Sequence, residues 1–292
     1  MKIGTKKRGK WMLSLLSMAF FIVSLTGVQT KAAGIEMEFP RGQSVNVKVM
    51  SYNIHHAEGV DRGLDLERIA KVIEYEEADI IGLQEVDKHW SERSDFQDQA
   101  KWLADRLGMF YVYAANLDRD PLHEGEPRRQ YGTAILSKYP ILHSENHPLT
   151  KIGNTEQRGL LEATINVKGN HLHFYNTHLA LTTAERQIQI KEIISIAGES
   201  EGPKVIMGDL NAVPDSIEMQ PMYDHYLDVF YDKPEAYTYS ADNPTKRIDF
   251  IFTSAEIKTV EKEVIKTLAS DHLPITAEIV LERTEPYENG GN

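Results

Sequence analysis

The chain has 292 residues, with 32 Lys and Arg against 44 Asp and Glu and a formal net charge of −12. This excess of acidic residues argues against a large basic surface of the kind that neutralises nucleic-acid phosphates. A local basic groove or a bound cation is still compatible with the net charge. The sequence has no cysteine, which excludes disulfides, lipid attachment to cysteine and thiolate metal sites.

The first 33 residues have the order of a secretory signal peptide. A basic segment with Lys2 and Arg8 comes first, an apolar run from Trp11 to Val28 follows, and small residues end at Ala33. We therefore predict that residues 1–33 are removed and that the protein is secreted. The alternative is an uncleaved membrane anchor, for which the apolar run is slightly short. Those 33 residues hold six Lys/Arg and no Asp/Glu, so 26 basic and 44 acidic residues remain, a net charge of −18.

Strands alternate with three main helices in the remaining chain. In order they are strand Val45–Tyr52, helix Leu66–Tyr75, strand Asp79–Gln84, helix Phe96–Leu107, strands Phe110–Ala114, Thr133–Leu136, Leu160–Val167 and Leu172–Asn176, helix Ala184–Ala197, and strands Lys204–Met207, Arg247–Thr253, Ile257–Ile265 and Ile275–Leu281. Asp65 is the expected N-cap of the first helix, and Gly108 follows the second. Thr182 and Glu185 form a capping box for the third.

This pattern predicts one α/β domain at residues 34–283, with sheets packed together and helices outside, and a frayed polar tail at 284–292. The length suits a single enzyme domain, and the sequence has no internal repeat or linker.

Polar residues follow the apolar strands at six points. The segments are SYNIH at 51–55, LQEVD at 83–87, NTHL at 176–179, GDLN at 208–211, RIDF at 247–250 and SDH at 270–272. Singly, an asparagine or aspartate at a strand end is most often a turn residue. Asp249 differs, because a carboxylate inside an apolar strand is costly unless it is paired. Together the segments predict a polar site on loops held by a rigid scaffold.

The ordered set of motifs resembles the endonuclease/exonuclease/phosphatase superfamily, whose best-known type is deoxyribonuclease I. The resemblance extends from Val45 to Leu281 and rests on SYNIH, LQEVD, GTAILSKYPI, RGLLEATI, YNTHL, VIMGDLNA, RIDFIF and SDHLPI. It implies an α/β four-layer sandwich, in which two mixed β-sheets lie face to face with helices outside. It also implies a metal-dependent phosphoric ester hydrolase that uses an activated water for in-line attack.

The resemblance assigns the metal to a few carboxylate and amide positions. Glu85 matches the carboxylate that binds the divalent ion, with Asn53 beside it, and Asp271 matches a further metal or outer carboxylate. Mg²⁺ prefers such oxygen ligands, and Mn²⁺ is expected to substitute for it. The ion would act as a Lewis acid on a phosphoryl oxygen.

The resemblance assigns the catalytic steps to five further residues. Asp209 matches the group that orients or deprotonates the water, and Asn211 matches the amide that holds the phosphoryl oxygens. Asp249 and His272 match a hydrogen-bonded pair that fixes the imidazole. His178 matches a second histidine near the leaving group. Which histidine acts as the acid stays open at this point.

One position departs from the nuclease pattern, and one assignment is weaker than the rest. Some nuclease members carry a carboxylate that supports the second histidine, whereas residues 129–132 here read RQYG. Arg158 matches an arginine near the phosphate. His55 and His56 are neighbours, and on a strand they would face opposite sides, so a joint ligand role is not expected.

Four functions compete. The preferred one is a secreted phosphodiesterase acting on a small or lipid-linked phosphoester, which the acidic charge favours. The alternatives are a secreted nuclease acting on DNA or RNA, a sugar- or inositol-phosphate phosphatase, and a non-catalytic binding module. The last predicts gaps in the catalytic set, and the sequence has none. A monomer without a stable protein partner is expected.

Overall fold

The computed structural model describes residues 44–282, so the predicted signal peptide at 1–33 and the predicted tail at 284–292 lie outside the described residues. The helices are α1 (Leu66–Tyr75), α2 (Gln99–Leu107), α3 (Thr183–Gly198) and α4 (Gln220–His225). The strands are β1 (Val45–Asn53), β2 (Ile80–Lys88), β3 (Phe110–Arg119), β4 (Arg129–Ser137), β5 (Ile141–Pro148), β6 (Gly159–Val167), β7 (Asn170–His178), β8 (Lys204–Asp209), β9 (Leu227–Asp228), β10 (Asp249–Thr253), β11 (Lys258–Val264) and β12 (Ile275–Leu281). In residues 44–282, no helix combines the length and apolarity that a membrane span needs.

Two mixed sheets of six strands form the framework. Their strand orders are β11-β12-β1-β2-β4-β3 and β5-β6-β7-β8-β10-β9. Each sheet has one central parallel pair, β1 with β2 and β7 with β8, between antiparallel neighbours. The strands of a parallel pair run in the same direction, so their carboxyl ends meet at one edge of the sheet. In each sheet, the carboxyl ends of the two central parallel strands therefore lie side by side.

Three apolar clusters separate four layers. The central cluster lies between the two sheets and includes Val49 of β1 and Phe174 of β7. A second cluster joins α1 and α2 to the outer face of the first sheet, with Ile69 and Leu103 fully buried. A third joins α3 and α4 to the outer face of the second sheet around Ile190. The predicted four-layer sandwich is confirmed.

Helix starts follow their capping residues. The prediction for α1 is confirmed, because the Asp65 side chain accepts a hydrogen bond from the backbone N–H of Arg68 at 3.1 Å. The predicted start of α2 at Phe96 is wrong by three residues. Asp98 caps this helix by accepting from the N–H of Lys101, and Phe96 has a φ of +53°, outside helical geometry.

Three elements were missing from the sequence prediction: strand β5, the two-residue strand β9 and helix α4. Strand β5 is an edge strand that pairs only with β6 in the described residues, and its sequence ILHSENHP is largely polar and exposed. Helix α4 has only six residues and a proline in its first turn. Neither β5 nor α4 has the apolar periodicity from which a strand or helix is predicted. Each is instead stabilised by packing against a neighbouring strand or helix.

A buried amide pair links the two sheets just behind the predicted site. Nε2 of Gln84 in β2 donates to Oδ1 of Asn176 in β7 at 2.7 Å, and both side chains are fully buried. Nδ2 of Asn176 donates in turn to the carbonyl of Leu83 at 2.8 Å. Gly82 allows this approach, because a Cβ there would lie 2.9 Å from Oδ1 of Asn176. The sheets are therefore fixed to one another one residue before Glu85.

A buried ion pair fixes the start of β10. The guanidinium of Arg247 donates to both carboxylate oxygens of Asp228, at 3.1 and 2.7 Å, and both side chains are almost fully buried. Replacing Asp228 with asparagine leaves that buried cation without its counter-charge, so we expect a loss of about 3–5 kcal/mol of stability.

The measurement is thermal unfolding, in which this loss corresponds to a fall in Tm of roughly 6–20 °C for a domain of this size. The matched control is Asp232→Asn, whose partner Lys262 forms an ion pair with a largely exposed carboxylate. That control is expected to change stability by less than about 1 kcal/mol. Equal shifts for the two variants would contradict the structural role of the Arg247 pair.

Candidate active site

The predicted site residues converge where the two sheets present their strand ends to the same cleft. Asn53 ends β1, His178 ends β7 and Asp209 ends β8. His178 is paired with Asp209 across the parallel β7–β8 ladder, and Asp249 is paired with Asp209 across the antiparallel β8–β10 ladder. Three neighbouring strands therefore place an imidazole and two carboxylates side by side.

A β-bulge in β2 directs Glu85. The register between β2 and β4 shifts between Leu83 and Val86, and Glu85 has a φ of +57°. A bulge of this kind inserts an extra residue and turns its side chain away from the regular alternation. Oε1 of Glu85 accepts a hydrogen bond from Nδ2 of Asn53 at 3.1 Å. The predicted neighbours Asn53 and Glu85 are therefore in direct contact.

Asp209 is the centre of the cluster. It is buried, and its Oδ1 accepts from the backbone N–H of Asn211 at 2.9 Å. Its Oδ2 accepts from Nδ2 of Asn53 at 3.1 Å. The same Oδ2 lies 3.4 Å from Nε2 of His178 and 3.6 Å from Nε2 of His272. One carboxylate oxygen thus faces an amide and two imidazoles.

Asn53 connects Asp209 to Glu85 and to the turn after β1. Its Nδ2 donates to both Glu85 and Asp209, while its Oδ1 accepts from the backbone N–H of His55 at 3.1 Å. The hydroxyl of Ser270 donates to the Asn53 carbonyl at 2.8 Å and so ties the SDH segment to the end of β1. In this orientation Asn53 aligns two carboxylates with one amide group.

The predicted Asp249–His272 pair is present. Nδ1 of His272 lies 3.0 Å from Oδ2 of Asp249, and both side chains are buried. This contact leaves Nε2 of His272 directed toward Asp209. Oδ1 of Asp249 is buried without a hydrogen-bond partner. A carboxylate that orients an imidazole in this way fixes which ring nitrogen faces the reacting groups.

The two histidines have opposite charge preferences. Burial opposes a charge on His272, but the carboxylates of Asp249 and Asp209 outweigh it and raise the pKa of His272 to about 10. Burial lowers the pKa of His178 well below its usual value, and the cations of Arg158 and His272 add to that effect. Burial also raises the pKa of Asp209 to about 7, against the attraction of His272. His178 therefore prefers the neutral form, so its 3.4 Å approach to Oδ2 of Asp209 is a close contact rather than an ion pair.

His55 and His56 contradict the expectation that they face opposite sides. They lie in a 3-10 turn at His55–Ala57 rather than on a strand, and both have positive φ values. One ring nitrogen of each lies within 4.8 Å of the other and of a carboxylate oxygen of Glu85. The left-handed turn directly after β1 brings the two rings to one side, which the strand periodicity did not indicate.

A cavity of about 510 Å³ opens over these groups. Its wall contains the predicted residues Glu85, Arg158, His178, Asp209, Asn211, Asp271 and His272. Nδ2 of Asn211 donates to the Leu179 carbonyl at 3.0 Å. The backbone of Asn211 is left-handed, with a φ of +49°. Arg158 is buried and contacts Glu156 at 2.9 Å. Every one of the nine predicted residues therefore lines the cavity or directly contacts a residue that does.

The sequence did not single out several further residues that line the cavity, among them Tyr239, Tyr131 and Lys246. Tyr239 packs against His272 with ring centroids 4.8 Å apart, and its backbone forms a bridge with the same residue. Tyr131 and Lys246 also line the cavity. Tyr131 lies in the RQYG segment at 129–132, which contains no carboxylate. Neither tyrosine follows a recognisable strand-end motif, and their positions depend on contacts distant in sequence.

The chemistry of the cluster fits a divalent cation on the Glu85 side. Within residues 44–282, no Lys or Arg nitrogen lies within 4.0 Å of the carboxylates of Glu85, Asp209 or Asp271. Oδ1 of Asp271 lies 3.8 Å from Nδ1 of His55 and accepts a hydrogen bond from the Ser270 hydroxyl at 3.4 Å. The carboxylates of Glu85 and Asp271 line one cavity without a Lys or Arg partner among the described residues, and a bound cation would offset the repulsion between them. Glu85 and Asp271 are the oxygen ligands that would hold it, with Asn53 aligning Glu85.

Comparisons of the sequence with known proteins identify a family and a relative. The sequence model of the endonuclease/exonuclease/phosphatase family matches residues 50–272, a stretch that contains all nine predicted site residues. The Escherichia coli K12 protein YbhP is 28% identical over 261 residues, which cover 82% of this chain and 98% of that protein.

Solved structures share the fold. An endonuclease/exonuclease/phosphatase from Beutenbergia cavernae DSM 12333 superposes with a TM-score of 0.69 at 24% identity, covering 81% of this chain and 72% of the other. The mannosyl-6-phosphatase Bt3783 from Bacteroides thetaiotaomicron VPI-5482 gives a TM-score of 0.65 at 19% identity, covering 80% of this chain and all of the other. At these identities the likeness establishes the sandwich architecture, and the chemistry rests on the cleft itself.

Proposed function

The chain belongs to the endonuclease/exonuclease/phosphatase family, whose members are phosphoric ester hydrolases, and on this basis we propose that it is a secreted, Mg²⁺-dependent phosphodiesterase. The observation that carries the proposal is the convergence of Asp209, Asp249 and His272 within 4.8 Å, beside Glu85 and Asn53. Export rests on the basic, apolar and small segments of residues 1–33, and the folded domain is assigned to residues 34–283.

Water attack is assigned to Asp209. A phosphodiester is cleaved when a water oxygen bonds to phosphorus and the bond from phosphorus to the leaving oxygen breaks. The buried Asp209 carboxylate is positioned by Asn53 and by the N–H of Asn211, so it accepts the water proton without first losing a solvent shell. Fixed hydrogen bonds of this kind reduce the reorganisation that the reaction requires.

The phosphoryl oxygens are assigned to the groups around Asp209. A Mg²⁺ held by Glu85 and Asp271 would supply Lewis-acid stabilisation of the charge on a phosphoryl oxygen. Nε2 of His272, which Asp249 fixes in place, and the guanidinium of Arg158 offer N–H donors. In the strand order, β8 with Asp209 lies between β7 with His178 and β10 with Asp249, and we assign His178 to the leaving group.

The surface charges favour a small or lipid-linked substrate over a nucleic acid. Arg128 in the loop between β3 and β4 is paired with Asp118 and Asp120, each at 2.7 Å. Its charge is therefore compensated within the same hairpin. Extended nucleic acids need several uncompensated cations along their path, and the chain is strongly acidic.

A panel of three substrates tests this proposal with the purified protein and Mg²⁺. Bis(p-nitrophenyl) phosphate represents a small diester, p-nitrophenyl phosphate a monoester, and supercoiled plasmid a nucleic acid. We expect release of p-nitrophenol from the diester at a rate well above that from the monoester, and no nicking. Nicking at substoichiometric enzyme would instead establish a nuclease. Selective cleavage of the monoester would establish a phosphatase, the activity named for the Bacteroides structure.

A further inference from the structure

Three exposed aliphatic side chains stand beside the cleft. Leu181 is 75% exposed, Ile217 is 71% exposed and Val213 is 37% exposed. Leu181 and Val213 line the same cavity as Asp209, and Ser216, which precedes Ile217, lines it too. We call Leu181, Val213 and Ile217 the aliphatic rim. Exposed apolar side chains grouped beside a polar cleft are a candidate contact surface, whereas isolated ones are common on any protein.

A buried arginine holds the two loops that carry this rim. The guanidinium of Arg186 donates to the Leu181 carbonyl at 2.8 Å and to the Ala180 carbonyl at 3.1 Å. Its other nitrogens donate to Oε1 of Glu218, at 2.9 and 2.6 Å, and both charged side chains are buried. Leu181 and Ile217 thus lie on either side of a buried Arg186–Glu218 ion pair. These two side chains could fold back against the protein surface only if that ion pair were broken.

The rim is joined directly to the catalytic residues. Leu181 follows His178 by three residues, and Val213 follows Asn211 by two. The side chain of Asn211 closes the connection by donating to the carbonyl of Leu179. A group attached to a phosphate in the cleft therefore meets aliphatic side chains that line the same cavity as the catalytic groups.

We propose that the aliphatic rim binds the alkyl chain of an amphiphilic phosphodiester substrate. The inference deepens the proposed function and rests on it. The chain occupies the rim as part of a single substrate molecule, so its methylene groups leave water when the phosphate enters the cleft. Burial of one methylene group multiplies affinity by at most about four, so partial burial of several gives roughly a tenfold preference for a long chain.

The test uses p-nitrophenyl phosphodiesters whose second ester group is methyl, butyl or octyl, each below its aggregation concentration. The quantity measured is the ratio of kcat/KM for the octyl ester to kcat/KM for the methyl ester. We expect roughly tenfold for the parent and a ratio close to one for the double variant Leu181→Asn with Ile217→Asn. The matched control is Leu142→Asn on β5, which is 52% exposed and lies outside the cleft lining, and which should keep the parental ratio.

The possible outcomes distinguish a failure of this inference from a failure of the proposed phosphodiesterase function. Hydrolysis of the methyl ester without a gain for the octyl ester overturns the inference and leaves the phosphodiesterase intact. A gain that appears only above the aggregation concentration also overturns it, because the protein then responds to a lipid surface. An unchanged ratio in the double variant overturns the assignment to the rim. If the parent hydrolyses none of the three esters, the proposed function fails and the inference fails with it.

Discussion

Replacing Asp209 with asparagine is expected to lower kcat for diester hydrolysis by roughly 10³-fold or more while the protein stays folded. The amide has nearly the shape of the carboxylate, so it can still accept the hydrogen bond from the N–H of Asn211. It cannot accept the water proton. The measurement is kcat for bis(p-nitrophenyl) phosphate, with circular dichroism and Tm as checks on folding.

The same substitution at Asp215 provides the control. Asp215 lies six residues further along the chain, is exposed, and is assigned no part in the reaction. Asp215→Asn should retain activity within about twofold, as surface substitutions usually change little. A folded Asp209→Asn protein with more than a tenth of the parental kcat would refute the role given to this carboxylate.

Chelation is expected to abolish the activity, and Mg²⁺ or Mn²⁺ should restore it. The physical reason is the group of carboxylates around Glu85 and Asp271, which has no Lys or Arg within ion-pairing distance in residues 44–282. EDTA removes the cation that this group holds, and with it the charge stabilisation of the phosphoryl oxygen.

Direct binding gives a second readout that does not depend on turnover. Titration with Mn²⁺, followed by the electron paramagnetic resonance of the free ion, measures the affinity of the site. Glu85→Gln should weaken binding at least tenfold, a typical cost of losing a metal ligand's charge, whereas Glu124→Gln in an exposed loop should not change it. Full activity in the presence of EDTA would contradict the metal assignment.

The sequence predicted the four-layer fold and the residue types of the candidate cleft, but not the distances between those residues. Asn53, Glu85 and Asp209 were predicted because each ends or closely follows an apolar strand within a recognisable ordered motif. Their mutual contacts at 3.1 Å required the structure, since they join residues up to 156 positions apart. The ordered motifs indicate which side chains form the cleft, whereas the packing of the two sheets determines the distances between them.

The errors have physical causes that a single sequence does not display. His55 and His56 were expected on opposite faces because a strand was extrapolated past Asn53, where the backbone instead enters a left-handed turn. The bulge that turns Glu85 depends on pairing with β4, which is distant in sequence. Tyr239 reaches His272 through a bridge between two loops. Each of these features is decided by tertiary contacts rather than by local propensity.

The central claim is that water attacks phosphorus in the cleft around Asp209, and oxygen-18 labelling tests it most directly. The parent protein hydrolyses the butyl p-nitrophenyl diester with Mg²⁺ in ¹⁸O-enriched water, and both products are analysed by mass spectrometry. We predict one ¹⁸O atom in the phosphate monoester and none in p-nitrophenol, with product formation lost in Asp209→Asn. Label in p-nitrophenol, or labelled phosphate formed equally fast by the Asp209→Asn protein, would contradict it.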